Sequence, residues 1–164
     1  MRIGARFGLV LRDLGEQGTN PQLPRRSRQS PRLKTILNAA RDNWTPWPLY
    51  SVETHHWHSG NIGLIGDSAH AMLPFQAQGA AMGIEDAAVL APLLVRAADA
   101  QSAFASFAAM RQTRVARVAR TSEANGKIFH MAWPFSVARN MVIAMQGPRG
   151  HLRRLDWLYG YDAG

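Results

Sequence analysis

The chain has no cysteine, so disulfide staples and thiolate metal ligands are excluded and a reducing cytoplasm is permitted. It also lacks any apolar run near the ~18 residues needed to span a bilayer. The start Met1-Arg2-Ile3-Gly4-Ala5-Arg6 carries basic residues without a following apolar segment, so no signal peptide is expected and the cytoplasm is the default location. Acidic residues are scarce as well: 11 Asp and Glu stand against 19 Lys and Arg, for a formal net charge of +8.

That excess raises the possibility of a nucleic-acid partner, because clustered cations release counterions from a phosphate backbone. The distribution argues against it. Part of the charge lies in Pro24-Arg25-Arg26-Ser27-Arg28-Gln29-Ser30-Pro31-Arg32, whose composition resists packing. Another part is Arg111, Arg114, Arg117 and Arg120, three residues apart, which reads as a solvated stripe along a helix.

At 164 residues with 46% hydrophobic residues, the chain is long enough for one ordinary domain with a core. Residues 1–32 show no sustained period and are expected to be a disordered basic segment. Leu33, Ile36 and Leu37 suggest a short helix over 33–40, ending before Trp44, Pro46 and Pro48, and 48–57 alternates like a strand. A helix is expected over about 80–98, with Ile84, Ala87, Ala88, Leu90, Leu94 and Val95 on overlapping, largely buried faces and a kink at Pro92. A second should run from Ser102 to about Ala124, with Phe104, Phe107, Met110, Val115 and Val118 inward and the arginines outward, stopping at Asn125-Gly126. Pro134 opens a third, through Met145 to Gly147-Pro148. There is no internal repeat.

The informative segment is Ile62 to Ala87, IGLIGDSAHAMLPFQAQGAAMGIEDA. Ile62, Gly63, Leu64 and Ile65 are continuously apolar and read as a strand buried on both faces of a parallel or mixed sheet. Gly66 allows close approach of backbone or ligand, and Asp67 then presents a short carboxylate at the strand's carboxyl end, where open α/β sheets place ligands and an acid can accept ribose hydroxyl hydrogen bonds. The alternative role for Asp67 is a helix N-cap, accepting an N–H from Ala69 or His70. Pro74 stiffens the loop, and Gln78 and Gly79 lead into a helix whose first N–H groups can hold partial negative charge.

Other constellations are weaker. His55, His56 and His58 lack an acid or cysteine to complete a metal site, so none is expected. His70 is read as a structural hydrogen-bond partner, and Glu85 and Asp86 as acids complementing a helix end. The methionines Met72, Met82, Met131, Met141 and Met145 read as core and pocket filler.

Gly66-Asp67-Ser68-Ala69-His70-Ala71-Met72-Leu73-Pro74, Ala77-Gln78-Gly79-Ala80-Ala81-Met82 and Ile84-Glu85-Asp86-Ala87 resemble the second FAD-binding motif of flavoprotein aromatic hydroxylases, nearest to the salicylate hydroxylase-like branch. Trp44, Trp47, Pro48, Leu49 and Tyr50 resemble a strand at the substrate-domain boundary. Arg111, Arg114, Ser122-Glu123-Ala124-Asn125-Gly126, Arg139-Asn140 and the run from Leu155 to Asp162 resemble the family's closing helices, so the likeness covers 33–164. It divides the chain into a basic segment (1–32), a remnant of the substrate-domain boundary (33–60) and the C-terminal part of an FAD-binding domain with a helical tail (61–164).

The resemblance implies an α/β fragment of an incomplete Rossmann-like FAD/NAD(P)-binding fold. It implies FAD bound through Asp67 at the ribose, and through Pro74, Gln78, Gly79, Ala80, Ala81 and Met82 at the flavin, Met82 lying near the ring. It also implies NAD(P)H as reductant and transfer of one oxygen atom from O2 to a small aromatic substrate. No catalytic acid or base is assigned. Many relatives have glycine where this chain has Ala77. The pyrophosphate-seating G-x-G-x-x-G and the family's middle Asp-Gly motif are absent, so the chain is expected to be the C-terminal part of a longer hydroxylase that pairs with a missing N-terminal half, or a truncated, non-catalytic remnant.

Overall fold

The computed structural model describes residues 10–13, 31–40 and 49–163. The chain divides into two units, Met1–Arg12 with Ser51–Gly164, and Asp13–Tyr50. Within the second, α1 (Pro31–Ala40) is a ten-residue helix opened by proline, a residue suited to the first helical turn because its missing N–H would be unpaired there anyway. Its Thr35 hydroxyl donates to the Pro31 carbonyl at 3.0 Å. Trp44, Trp47 and Pro48 lie outside the described residues.

The fold is mostly helical, and its β structure is two small sheets. β1 (Val10–Asp13) pairs with β2 (Tyr50–Glu53), and β3 (His58–Ser59) pairs antiparallel with β4 (Ile62–Gly63). A strand at Val10–Asp13 had no sequence signal, and the expected long strand over 48–57 shortens to β2. β4 is the larger correction. Only two residues of the apolar run form a strand, and Ile62 and Ile65 are 60% and 42% exposed. A strand is buried on both faces only when neighbouring strands and covering helices exist. Among the described residues β4 has one partner, β3, so a full parallel sheet is not formed.

After β4 come α2 (Asp67–His70), a 3-10 turn (Pro74–Gln76), α3 (Gly79–Arg96), α4 (Ala100–Phe129) and α5 (Phe135–Tyr159). Asp99 starts α4 by accepting the Ser102 N–H at 2.7 Å, a standard N-cap. α4 runs five residues beyond Ala124 because Asn125 and Gly126 pack instead of terminating it. Asn125 donates to the Gln76 side chain, and a Cβ on Gly126 would stand 2.6 Å from the Phe75 ring. The glycine is a contact site for the turn. α5 does break where expected, at Gly147 (φ 61°), and then resumes to Tyr159.

The core lies where α3 crosses α4, with Trp57, Ala69, Met82, Val89, Leu90, Phe107, Ala108, Val115, Val118 and Leu158 in one cluster. Full burial of each large apolar side chain contributes roughly 1.5–3 kcal/mol. One face of α3 is left out of it. Ile84, Leu94 and Val95 are exposed, and so are Ala87 and Ala88. The helix continues through Pro92 to Arg96.

Candidate functional site

Gly66 turns the chain out of β4 with φ 56° and ψ −140°, a backbone conformation that side-chain-bearing residues avoid. Its N–H donates to Asp86 Oδ2 at 3.0 Å, and its carbonyl accepts the N–H groups of Ala69 and His70 at 2.9 Å each. Those two amides are the ones Asp67 would have taken as an N-cap. With them satisfied, the exposed Asp67 side chain makes no cap bond. Its Oδ1 lies 3.8 Å from the point where a Cβ on Gly79 would stand. The carboxylate and the first residue of α3 are therefore neighbours, close enough that a Cβ at Gly79 would stand in ordinary van der Waals contact with the acid.

The 3-10 turn delivers the chain to that point. Pro74 opens it, and Ala77 closes it in the left-handed region at φ 53°, which costs an alanine about 1–2 kcal/mol. Ala77→Gly relieves that strain while adding disorder to the unfolded chain, so a net stabilisation of about 0.5–1 kcal/mol is expected from urea unfolding. Equal or lower stability would contradict the strain. Gln78 precedes α3 without making a side-chain cap bond, and the first turn of the helix holds no acidic residue. The leading amides of α3 thus have no side-chain acceptor of their own, as an anion-accepting helix start requires.

Of the residues assigned to cofactor binding, Asp67 and Gly79 are brought together; Pro74 and Ala80 are exposed, Ala81 is half-buried and Gln78 is buried. Met82 faces the core. Its side chain is 0% exposed, with Sδ 3.8 Å from Arg111 Nη2. It is one helical turn in from the start of α3, so its direction follows the core-facing stripe.

The arginine stripe also needs correction, because Arg111 is fully buried and Met110, expected inward, is 58% exposed. Arg111 Nε donates to Asp86 Oδ1 at 2.9 Å and Nη1 to Glu85 Oε2 at 2.7 Å. Arg114 grips Glu85 through two bonds of 2.7 and 2.6 Å, donates to the carbonyls of Trp157 and Leu158, and lies over the Tyr161 ring. His70 Nε2 shares a 2.6 Å hydrogen bond with Asp86 Oδ2. Glu85 and Asp86 therefore hold arginines of the next helix, rather than only a helix end, and Asp86 braces the Gly66 turn as well. Burial would raise the pKa of both acids. The bonds from Arg114 and Arg111 to Glu85, and from His70, the Gly66 N–H and Arg111 to Asp86, outweigh it and hold both below the ordinary carboxylate range. Two buried or half-buried acids are thereby matched by two arginines directly beneath the turn that presents Asp67.

A glycine-aspartate turn beside a helix start whose amides lack side-chain acceptors is an arrangement able to hold a nucleotide. The FAD binding domain family matches residues 6–122, and the chain belongs to that family, in its aromatic hydroxylase group. The match begins well before Leu33, the start of the motif likeness, and ends at residue 122, short of the C-terminal stretch that the likeness includes. The chain is 33% identical over 133 residues to 3-hydroxybenzoate 6-hydroxylase 1 of Aquipseudomonas alcaligenes, covering 80% of this chain and 34% of that protein. It is 33% identical over 123 residues to salicylate hydroxylase of Pseudomonas putida, covering 72% and 27%. Its fold matches 69% of the chain to 29% of a Klebsiella pneumoniae HpxO variant complexed with FAD, with TM-score 0.57 and 22% identity. The chain thus spans about a third of the length of these relatives. Among the described residues no helix is long and apolar enough to cross a membrane, and no group of three His, Cys, Asp or Glu is placed to hold a metal ion.

Proposed function

We propose that this chain forms the ribose- and ring-facing part of an FAD site in a flavin-dependent monooxygenase that hydroxylates a small aromatic substrate using NAD(P)H and O2. The observation that carries the reading is the pairing of the exposed Asp67 carboxylate with the open start of α3 across Gly79. Asp67 would accept the ribose hydroxyls. The turn from Pro74 to Gln78 and the amides of Gly79, Ala80 and Ala81 would lie along the ring and its anionic edge, with Met82 supporting them from the core side. FAD when bound supplies the redox and oxygen chemistry; the protein's residues position it and exclude water. The relatives' names support the substrate class, since the curated proteins of similar sequence include hydroxylases of 3-hydroxybenzoate and salicylate.

Loss of a charge-assisted hydrogen bond costs about 1.5–3 kcal/mol, so Asp67→Ala should weaken FAD binding by roughly 10- to 100-fold. Titration of the purified chain with FAD, followed by flavin fluorescence, measures this. Unchanged affinity would remove Asp67 from the site.

A second reading is a non-catalytic piece that pairs with a separately encoded flavin half, and it rests on the lack of a G-x-G-x-x-G pattern in the sequence. A yellow preparation that oxidises NADPH would contradict it. A nucleic-acid role is disfavoured further by Arg111 and Arg114, whose charges are spent on Glu85 and Asp86.

A further inference from the structure

Helix α5 is tied to the core only near its end. Leu158 belongs to the core cluster and Leu155 and Trp157 pack against it, whereas no residue from Phe135 to Arg154 does. The first half of the helix instead turns apolar side chains to solvent. Val137, Met141 and Met145 recur at intervals of four, which places them on one stripe. Met141 is 61% and Met145 85% exposed, and Trp133, just ahead of the helix, is exposed as well. An uncovered apolar stripe of this kind marks an interaction surface.

The charge around the stripe selects its partner. Between Glu123 and Asp156 the chain has no acidic residue, while Lys127, Arg139, Arg149, Arg153 and Arg154 are all cationic. Beyond the bend at Gly147, Arg149, Leu152 and Arg153 are exposed and share a face. A second copy docked here would bring like charges together, which costs affinity. A nucleic acid would suit the arginines but offers no apolar phase to Val137, Met141 and Met145. A bilayer with anionic headgroups satisfies both, because apolar side chains enter the acyl boundary while arginines stay at the phosphates. Among the described residues no helix is long and apolar enough to cross a membrane, so α5 would lie along the surface.

We propose that α5 is a membrane-surface helix that docks the chain on an anionic bilayer, with Trp133, Val137, Met141 and Met145 in the acyl boundary and Arg149 and Arg153 among the headgroups. No residue assigned to the flavin lies on this face, so the proposal stands apart from the flavin reading.

The test is co-sedimentation of the full chain with phosphatidylcholine vesicles containing about 30% phosphatidylglycerol, beside vesicles of phosphatidylcholine alone. Binding to the anionic vesicles should be at least about tenfold tighter than to the neutral ones. Met141→Gln combined with Met145→Gln should weaken it by at least about tenfold with the net charge unchanged. Both positions are exposed and glutamine forms helix about as well as methionine, so the fold is kept. An unchanged urea midpoint checks this. Val95→Gln, equally exposed on α3, should leave vesicle binding as it was. Equal affinity for the two vesicle types, or none for either, would overturn the proposal. Anionic binding that survives the double substitution would also overturn it, since adsorption would then need only the net charge of +8. A chain that dimerises in gel filtration through the methionine stripe and ignores vesicles would assign the face to a second copy instead.

Discussion

Replacing Arg111 with alanine should lower the unfolding free energy by about 3–5 kcal/mol, the usual cost of stranding a buried charge. Against a typical total of about 5–15 kcal/mol, that brings the chain close to unfolding at ambient temperature. The size follows from what remains behind. Arg111 is among the largest fully buried side chains, and Asp86, also 0% exposed, would keep only His70 and the Gly66 N–H as partners. Glu85 would fare better, since Arg114 still binds both its oxygens. The double substitution Asp86→Asn with Arg111→Met should cost less than the sum of its parts, because neither change then leaves a lone ion in the core. Urea unfolding of the four proteins in a cycle measures the coupling. A cost below about 1 kcal/mol for Arg111→Ala would mean that water reaches the site and that the ion network adds little.

The same arginine shows where the sequence could be read and where it could not. Spacing by three along α4 makes Arg111, Arg114, Arg117 and Arg120 look like one solvated stripe, and Arg117 and Arg120 are indeed exposed. Yet Arg111 also falls in step with Phe107, Val115 and Val118, all buried, at helical intervals of four, four and three. A cation in register with the core face requires a buried acid, and that signal was present; what was missing was the partner's address, 25 residues away on α3. Met110 failed for the complementary reason, since its apolar character outweighed its position off that face.

The motif from Gly66 to Gly79 was legible because its constraints are local. A glycine ending the strand at Gly66, a proline-opened turn and a helix beginning near Gly79 each follow from one or two residues; the positive φ at Gly66 is added by the structure. Sheet and burial were not legible in the same way. Ile62, Ile65, Ile84 and Val95 have the composition of interior residues, but burial depends on a covering surface, and among the described residues none covers them. Asn125-Gly126 likewise carried a valid helix-stop signal that was overridden by packing against Phe75 and Gln76, residues far away in sequence.

Acidification should remove stability through Asp86 and Glu85, and the sign is set by their lowered folded-state pKa values. In the unfolded chain these acids titrate near ~3.9 and ~4.3. Above that range both states are ionised, so the full stabilisation is present; as pH falls through it the unfolded chain takes up protons first, and the advantage shrinks until the folded-state acids are protonated too. Each group can add a slope of at most about 1.4 kcal/mol per pH unit. Half-exposed carboxylates elsewhere contribute less because solvent screens their partners. Asp86→Asn should therefore lower stability near neutral pH and flatten the acid limb, since one of the two titrating groups is gone. Asp99→Asn is the matching control. Asp99 is also held below its usual pKa, by the Ser102 amide and hydroxyl, but it is exposed and asparagine still caps the helix. Its loss should leave the neutral-pH stability nearly unchanged. Urea unfolding at a series of pH values from neutral to about 3, a span that crosses the unfolded carboxylate range, separates the two cases. Parallel acid limbs for the unaltered chain and Asp86→Asn would place the acid sensitivity on other carboxylates and sever it from the turn beneath Asp67.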